Sequence, residues 1–539
     1  ISVSLVALPL ALGIAVASGM SPMSGVLSAI IGGVVTTFFR GGHLTINGPA
    51  AGLIAAILGG LVALDYNINY VLAAIVVAGG IQILLGVFKL GRFAKLLPSS
   101  VLHGILAAIG VIIIAKQAPY ALGTTSDADT VIGNLLDIFY KLPDANPFVF
   151  IVALAGILIL VFYKKTSNKI IRAIPAPMWV LLLALPLVFG FDFFTEHSIS
   201  FLGKSYGVGP KLLIDIPEDP LDCIMHPDFG MIGTMAFWLT VLSITTIASI
   251  VTLASARAVD KLDPYKRTTN LNKDLIGVGI STMVSGALGG LPITSVIVRS
   301  TVNVNNNAKT KWSNLYHGIF LILFVLILAP VLRSVPLAAL AAILVHTGFK
   351  LASPLVFKHA YDQGVEQLFF LSSTLIITLF SNLLYGIMGG ILITLITHIL
   401  LARVGFLPFF KMIYRSGSKV DRLENGSYDV KLKGISNFLY ALQLEKLLQE
   451  IPIGSVVRID MSQTRLVDLS IMENVIDFKR IQDNNGGDVK LIGLDNHVAS
   501  TSHNRALKIV TGQVRKQMTK RQIRLQEMAN SNGWSFERD

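Results

Sequence analysis

Two short stretches carry the residue types that could do chemistry. They are Asn47-Gly48-Pro49-Ala50-Ala51-Gly52 and Gly289-Gly290-Leu291-Pro292-Ile293-Thr294-Ser295. Proline suits the first turn of a helix, where its missing N–H costs nothing. The small residues beside it leave the other opening N–H groups uncovered. Such a terminus offers unpaired donors and roughly half a positive charge from the aligned peptide dipoles. Two of them face to face could hold an anion without any fixed countercharge, so the ion could also leave. The expected donors are the backbone amides of Ala50, Ala51, Thr294, Ser295 and Val296, with the hydroxyls of Thr294 and Ser295. Gly48, Pro49 and Pro292 would line the same place. Arg299, about one and a half turns into the second helix, would attract the ion; its bland role is an anchor snorkelling toward lipid phosphates. Either Gly-Pro cluster alone reads better as an ordinary kink or turn, since both residues are common in spanning helices. The matched pair argues for a site.

The elements that must position these stretches are membrane-spanning. The chain has 539 residues, of which 53% are hydrophobic and only 14% charged, against about 25% charged in soluble globular chains. Between Ile1 and Ser126 the only acidic residue is Asp65, and between Leu275 and Tyr361 there is none. Apolar blocks of about 17–25 residues recur there, the length that crosses the hydrocarbon core as a helix, and they lack the polar stripe of a soluble helix. About fourteen blocks can be counted. They begin near Ile1, Pro22, Gly48, Tyr70, Pro98, Pro147 and Ile174, then near Phe229, Leu275, Thr294, Trp312, Pro336, Gln367 and Tyr385. Basic clusters at Lys89, Arg92 and Lys95, at Lys164, Lys165, Lys169 and Arg172, and at Arg257, Lys261, Lys266 and Arg267 fall on one side of this count. That side is the cytoplasm, and both termini are expected there. An odd number of spans in each half makes the halves an inverted repeat, with substrate bound near the midplane where helices are interrupted.

The net charge of +12 lies mostly in short loops, which orients the chain in the bilayer and gives no footprint for nucleic acid. The single cysteine, Cys223, excludes an internal disulfide. His103, His317, His346 and His398 lie in apolar stretches and read as packing residues, without the spacing of a metal cluster. Gln82 and Gln117 are expected to bond between helices. No metal, cofactor or enzymatic motif is indicated. No cleavable leader is visible, and without a starting Met an N-terminal piece is expected to be missing.

After Arg403 the composition changes. Val456-Val457-Arg458-Ile459-Asp460-Met461 and Val489-Lys490-Leu491-Ile492-Gly493-Leu494 read as short buried strands, and 438–449 and 471–481 have helical spacing. The expected layout is a transmembrane region over 1–404, a linker over 405–426, a small α/β domain over 427–500 and a basic tail over 501–539, helical near 505–524 and without an evident stop signal.

Read together, these stretches resemble the SulP family of anion transporters, the sulfate permeases and their bicarbonate- and chloride-carrying relatives. Further matches are Ala7-Leu8-Pro9-Leu10, Pro98-Ser99-Ser100-Val101-Leu102-His103-Gly104 with Lys116-Gln117, and the run from Gly289 to Ser300 followed by 305–310. The C-terminal domain resembles the STAS domain of that family. The resemblance implies an α-helical polytopic protein of fourteen spans in two inverted repeats. A core (1–90 and 227–333) would move against a gate (97–195 and 334–404), as an elevator in a homodimer in the cell inner membrane. It also implies substrate between the third and tenth spans, flanked by Pro9 and Leu10 of the first and by Ser249, Val251 and Thr252 of the eighth. Two departures bear on mechanism. Val251 stands where many bacterial members have a carboxylate, so ion coupling there is not expected and exchange or uniport is favoured. Leu10 replaces a glutamine, which suits a small, simple anion such as bicarbonate, chloride or sulfate. In related soluble domains a phosphorylatable serine follows an Asp-Ser pair; here the stretch is Asp468-Leu469-Ser470, so that switch is not intact, although a cytoplasmic regulator could still bind. The competing readings are a nucleobase or ascorbate transporter, which would need more polar groups than Thr245, Thr246, Ser249 and Thr252 in the eighth span, and an anion channel.

Overall fold

The computed structural model describes residues 1–510 apart from 127, 129, 169, 170, 172, 173, 202, 218–222, 425 and 496. Most of the basic tail therefore lies outside the described residues. The chain divides into two compact units, Ile1–Ala94 with Leu106–Ala352, and Lys95–Ile105 with Ser353–Asp539.

Seven helical stretches among the described residues are long and apolar enough to cross a membrane: Pro22–Phe39, Ile68–Val87, Ser99–Leu122, Met235–Leu262, Trp312–Arg333, Leu337–Gln363 and Leu383–Ala402. Shorter apolar helices accompany them at Ser2–Ala17, Ala51–Ala63, Pro147–Phe162, Ala176–Gly190 and Val365–Phe380. The protein is a multi-pass helical membrane protein.

In the first unit, helices come close because small residues line their crossings, the usual solution where lipid tails remove any hydrophobic drive between helices. The most extensive crossing joins Ile68–Val87 to Leu271–Ala287. There a Cβ on Gly79 or on Gly279 would stand 2.7 Å from the other's carbonyl oxygen. Ser2–Ala17 packs on Pro22–Phe39 and Leu337–Leu351, and Trp312–Arg333 packs on Pro22–Phe39. Gln82 Nε2 donates to Ser249 Oγ at 3.4 Å, bonding two helices. Several serine and threonine hydroxyls in these helices return to the carbonyl four residues back, as Ser28, Thr37 and Ser281 do, and Ser18 does so at a helix end. That satisfies them without water.

The second unit joins helices Pro354–Gln363, Val365–Phe380 and Leu383–Ala402 to a six-stranded sheet. Its central strand, Val456–Val467, pairs in parallel with Tyr428–Ser436 on one side and Asp488–Ile492 on the other. Lys419–Arg422 adds an antiparallel edge, and Lys508–Val510 pairs antiparallel with the end of the central strand and with His497–Ala499. Val430, Ile459, Met461, Ile471 and Val475 form its core with Phe409 and Ile413. The expected strand at 456–461 is there, and twice as long. The α/β domain is wider than its expected 427–500 bounds. The supposed linker holds a helix, Phe406–Tyr414, and a strand, and the expected helical tail begins with a strand at Lys508.

Candidate anion site

Both Gly-Pro stretches fold the same way, as a short extended piece that turns into a helix. Asn47–Gly48 is a two-residue strand, and the chain stays extended through Ala50 (φ −117°, ψ 142°) before a 3-10 turn at Ala51–Leu53 and a helix at Ile54–Ala63. Thr294–Ser295 is its counterpart; Val296 is extended (φ −116°, ψ 114°) and a helix runs over Ile297–Asn305. The two strands pair antiparallel, Asn47 opposite Ser295 and Gly48 opposite Thr294. Because the strands are antiparallel, the two helices leave this ribbon in opposite directions with both N-termini beside it.

The prolines act differently from the expectation. Pro49 lies two residues before the first helical turn, and Pro292 lies before its strand. Neither occupies a helical first turn. Each holds an extended approach, which its fixed φ and its restriction on the preceding residue favour. The donors move accordingly. The Val296 amide is engaged with the Ile46 carbonyl at 2.9 Å, and the Ser295 amide is turned to Thr252 Oγ1 at 3.4 Å. Helix geometry leaves the opening amides of Ile297, Val298 and Arg299, and of Ala51 and Gly52, without an intrahelical partner.

The side chains divide into two sets. Ser295 Oγ donates to Asp274 Oδ2 at 3.1 Å and accepts from Asn47 Nδ2 at 3.0 Å, so this hydroxyl proton points away from any bound ion. Asp274 is fully buried and also accepts from the Gly42 amide at 3.1 Å. Arg40 lies within its field and donates to the carbonyls of Gly42 (2.7 Å) and Thr45 (2.6 Å). Asn314 clamps the same loop, accepting from the Asn47 amide at 3.0 Å and donating to the Gly32 carbonyl at 2.9 Å. This set is closed.

The second set is open. Thr294 Oγ1 is buried and makes no hydrogen bond among the described residues. Arg299 has 0% of its surface exposed, and Nε, Nη1 and Nη2 likewise make no hydrogen bond among the described residues. Its guanidinium lies along the ribbon, since a Cβ on Gly48 would meet Nη1 at 2.4 Å. A larger residue there would have to displace that guanidinium. Nearby, His317 Nδ1 and Ser4 Oγ share a 3.2 Å hydrogen bond.

Met235–Leu262 packs on both half-helices and on the Thr294–Ser295 strand. Val251 Cγ2 stands 3.4 Å from where a Gly52 Cβ would be, and Thr252 touches Ser295. Ser249 is buried and faces Gln82. Ser2–Ala17, with buried Pro9 and half-buried Leu10, packs on Ile297–Asn305 and on Ile54–Ala63. The expected residues lie on the ribbon or on helices that pack on it and on its two half-helices. Sequence reasoning passed over Asp274 and Asn314. Asp274 sits one turn after the Asn270 cap, where an acid ordinarily complements the helix dipole and signals nothing more.

In the second unit, Asp468 caps Leu469–Asp483 by accepting from the amides of Ile471 (2.8 Å) and Phe438 (2.6 Å). Burial pushes its carboxyl up to about 7, opposed by those amides. Ser470 is buried.

The pattern of the sulfate permease family matches residues 1–371. A putative sulfate transporter of Bacillus subtilis, YvdB, is 28% identical over 401 residues, covering 74% of this chain and 72% of its own. The bicarbonate transporter BicA of Picosynechococcus is 24% identical, over 73% of this chain and 68% of its own. Among solved structures, the transmembrane domain of a cyanobacterial BicA superposes with a TM-score of 0.61 at 22% identity, covering 71% of this chain and 94% of that one. SLC26A9 superposes with a TM-score of 0.63 at 16% identity, covering 91% of this chain and 83% of that one. At these identities the structural likeness is one of fold.

Proposed function

This chain belongs to the sulfate permease family of anion transporters, and on that premise we propose that it carries a small inorganic anion across the membrane by elevator-type alternating access. The observation that supports this reading is the buried guanidinium of Arg299, unbonded among the described residues and lying against the Gly48–Thr294 pair. A cation taken out of water costs several kcal/mol unless it is paired. A transported anion would supply the missing partner only while bound, as a carrier needs.

In this reading the anion sits between the N-termini of the two half-helices. It takes donors from Thr294, Arg299 and the opening amides of the two half-helices, those of Ala50 and Ala51 on one side and of Ile297 and Val298 on the other, since the Ser295 and Val296 amides are already engaged. Gly48, Pro49, Pro292, Pro9, Leu10, Ser249, Val251 and Thr252 form the walls. Fourteen spans would make two inverted repeats, with a core of 1–90 and 227–333 moving against a gate of 97–195 and 334–404. The assembly would be a homodimer in the plasma membrane with cytoplasmic termini, and the STAS-like domain would be open to a cytoplasmic regulator. The relatives named as sulfate and bicarbonate transporters make those two anions, with chloride, the first to try. Val251 offers no carboxylate to coupling, which favours exchange or uniport.

The test is uptake by purified protein in liposomes, driven by an anion gradient, with competition by a panel of anions. Saturable uptake competed by at least one of bicarbonate, sulfate or chloride is expected. No uptake of any of them, under either a chloride or a pH gradient, would end the proposal.

A further inference from the structure

The helix Phe406–Tyr414 follows the last candidate span, Leu383–Ala402, after only three residues. At 1.5 Å per residue, that 20-residue span covers about 30 Å, the thickness of the hydrocarbon core. Arg403 then turns out of the helix in the left-handed conformation, φ 51°, and Arg465 Nε donates to the Ala402 carbonyl at 2.8 Å, fixing the exit. Three residues reach at most about 10 Å. Phe406 therefore starts in or beside the headgroup layer.

The two faces of this helix are occupied differently. Phe409 and Ile413 are buried in the core of the α/β domain. Phe406, Leu407 and Tyr414 are 62%, 79% and 57% exposed. Phe410 bridges the exposed rings, with its centroid 5.0 Å from that of Phe406 and 6.5 Å from that of Tyr414. At 100° per residue the apolar arc is continuous from Phe409 round to Leu407, and the domain covers less than half of it. Exposed Lys411 and Arg415 lie next on the wheel. An apolar arc with cations along one edge is the form of a helix lying in the bilayer interface.

We propose that Phe406–Tyr414 is an interfacial anchor: its Phe406, Leu407, Phe410 and Tyr414 face enters the cytoplasmic-leaflet boundary while Lys411 and Arg415 engage anionic headgroups, holding the α/β domain against the membrane surface. The occupant is lipid because the chain leaves the span directly onto this helix. The basic flank matches an anionic leaflet.

The test uses the full chain in proteoliposomes containing phosphatidylglycerol, with Cys223→Ser removing the only native thiol. Leu407→Cys carries a nitroxide, and Glu424→Cys, on an exposed turn, gives the aqueous reference. An oxygen-to-nickel collision ratio several-fold above the reference is expected at position 407. Nickel access equal to that at 424 would overturn the anchor, and so would exclusion of both reagents, which would mean a protein partner such as a second copy. In pure phosphatidylcholine the ratio should fall toward the reference, as it should with Lys411→Glu and Arg415→Glu combined in the anionic vesicles. An unchanged ratio in both would overturn the headgroup contacts. Anion uptake by the unlabelled parent is measured alongside, so failure of the transport reading is seen separately.

Discussion

Arg40 and Arg299 are both buried, both beside the same ribbon, and differ in nearly everything else. The Arg40 guanidinium is largely spoken for: Nε and Nη1 bond two backbone carbonyls and the group lies in the field of Asp274, leaving only Nη2 unbonded among the described residues. The Arg299 guanidinium bonds to nothing among the described residues and lies along Gly48. One cation closes a loop; the other, in the proposed reading, is kept for a ligand. Being an intramembrane arginine is therefore no sign of a binding role; what matters is whether the protein itself uses up the donors.

The largest effect expected from breaking this contrast is on stability, at Arg40→Ala. Removing one partner of a buried charged cluster leaves Asp274 uncompensated and costs about 3–5 kcal/mol. The measurement is thermal unfolding in detergent, with a large loss of folded protein at room temperature as the expected outcome. A variant as stable as the parent would mean the cluster is not closed. Arg299→Ala should do the reverse. Its fold should persist, while the loss of charge-assisted hydrogen bonds worth about 1.5–3 kcal/mol weakens anion affinity by about 10- to 100-fold. Competition uptake reads this directly, and an unchanged apparent affinity would contradict the open role. Gly48→Ala sharpens the same point, because the new methyl must displace Nη1. A several-fold loss of affinity with little change in stability is expected.

Val251→Glu probes the wall instead of the cation. A carboxylate beside Gly52 at the first half-helix would be charged at high pH and repel an anion, and would be neutral at low pH. Transport should become pH-sensitive, falling as pH rises, where the parent is flat across the same range. A flat profile in the variant would remove Val251 from the site.

How far the sequence led can be read from these residues. The half-helix starts were legible because a Gly-Pro cluster breaks the helical run of an apolar block, and its recurrence in both halves implied that the two starts face each other; the ribbon that pairs Gly48 with Thr294 was not foreseen. Proline's exact station was not legible, since Pro suits both a first helical turn and an extended approach to it. The Phe406–Tyr414 helix was missed because nine residues hold too few turns to establish a period, and Gly405 and Pro408 read as linker. Composition announces an apolar or charged residue well. It cannot say which partner a hydroxyl chooses.

Ser295 is where that limit bears on the site. As a sequence, Thr294-Ser295 offers two equivalent hydroxyls to an anion; in the fold, only Thr294 Oγ1 is unspent, while Ser295 Oγ lies between Asp274 and Asn47. Ser295→Ala should therefore leave anion affinity within about twofold of the parent. It would also deprive a buried carboxylate of a donor, lowering stability by about 1–2 kcal/mol. Thr294→Val, nearly the same shape without the hydroxyl, should lower affinity more than Ser295→Ala and stability less. Measuring both variants for uptake and for melting separates the roles. A tenfold loss of affinity at Ser295→Ala with unchanged melting would place that hydroxyl on the anion and turn the division between closed and open donors around.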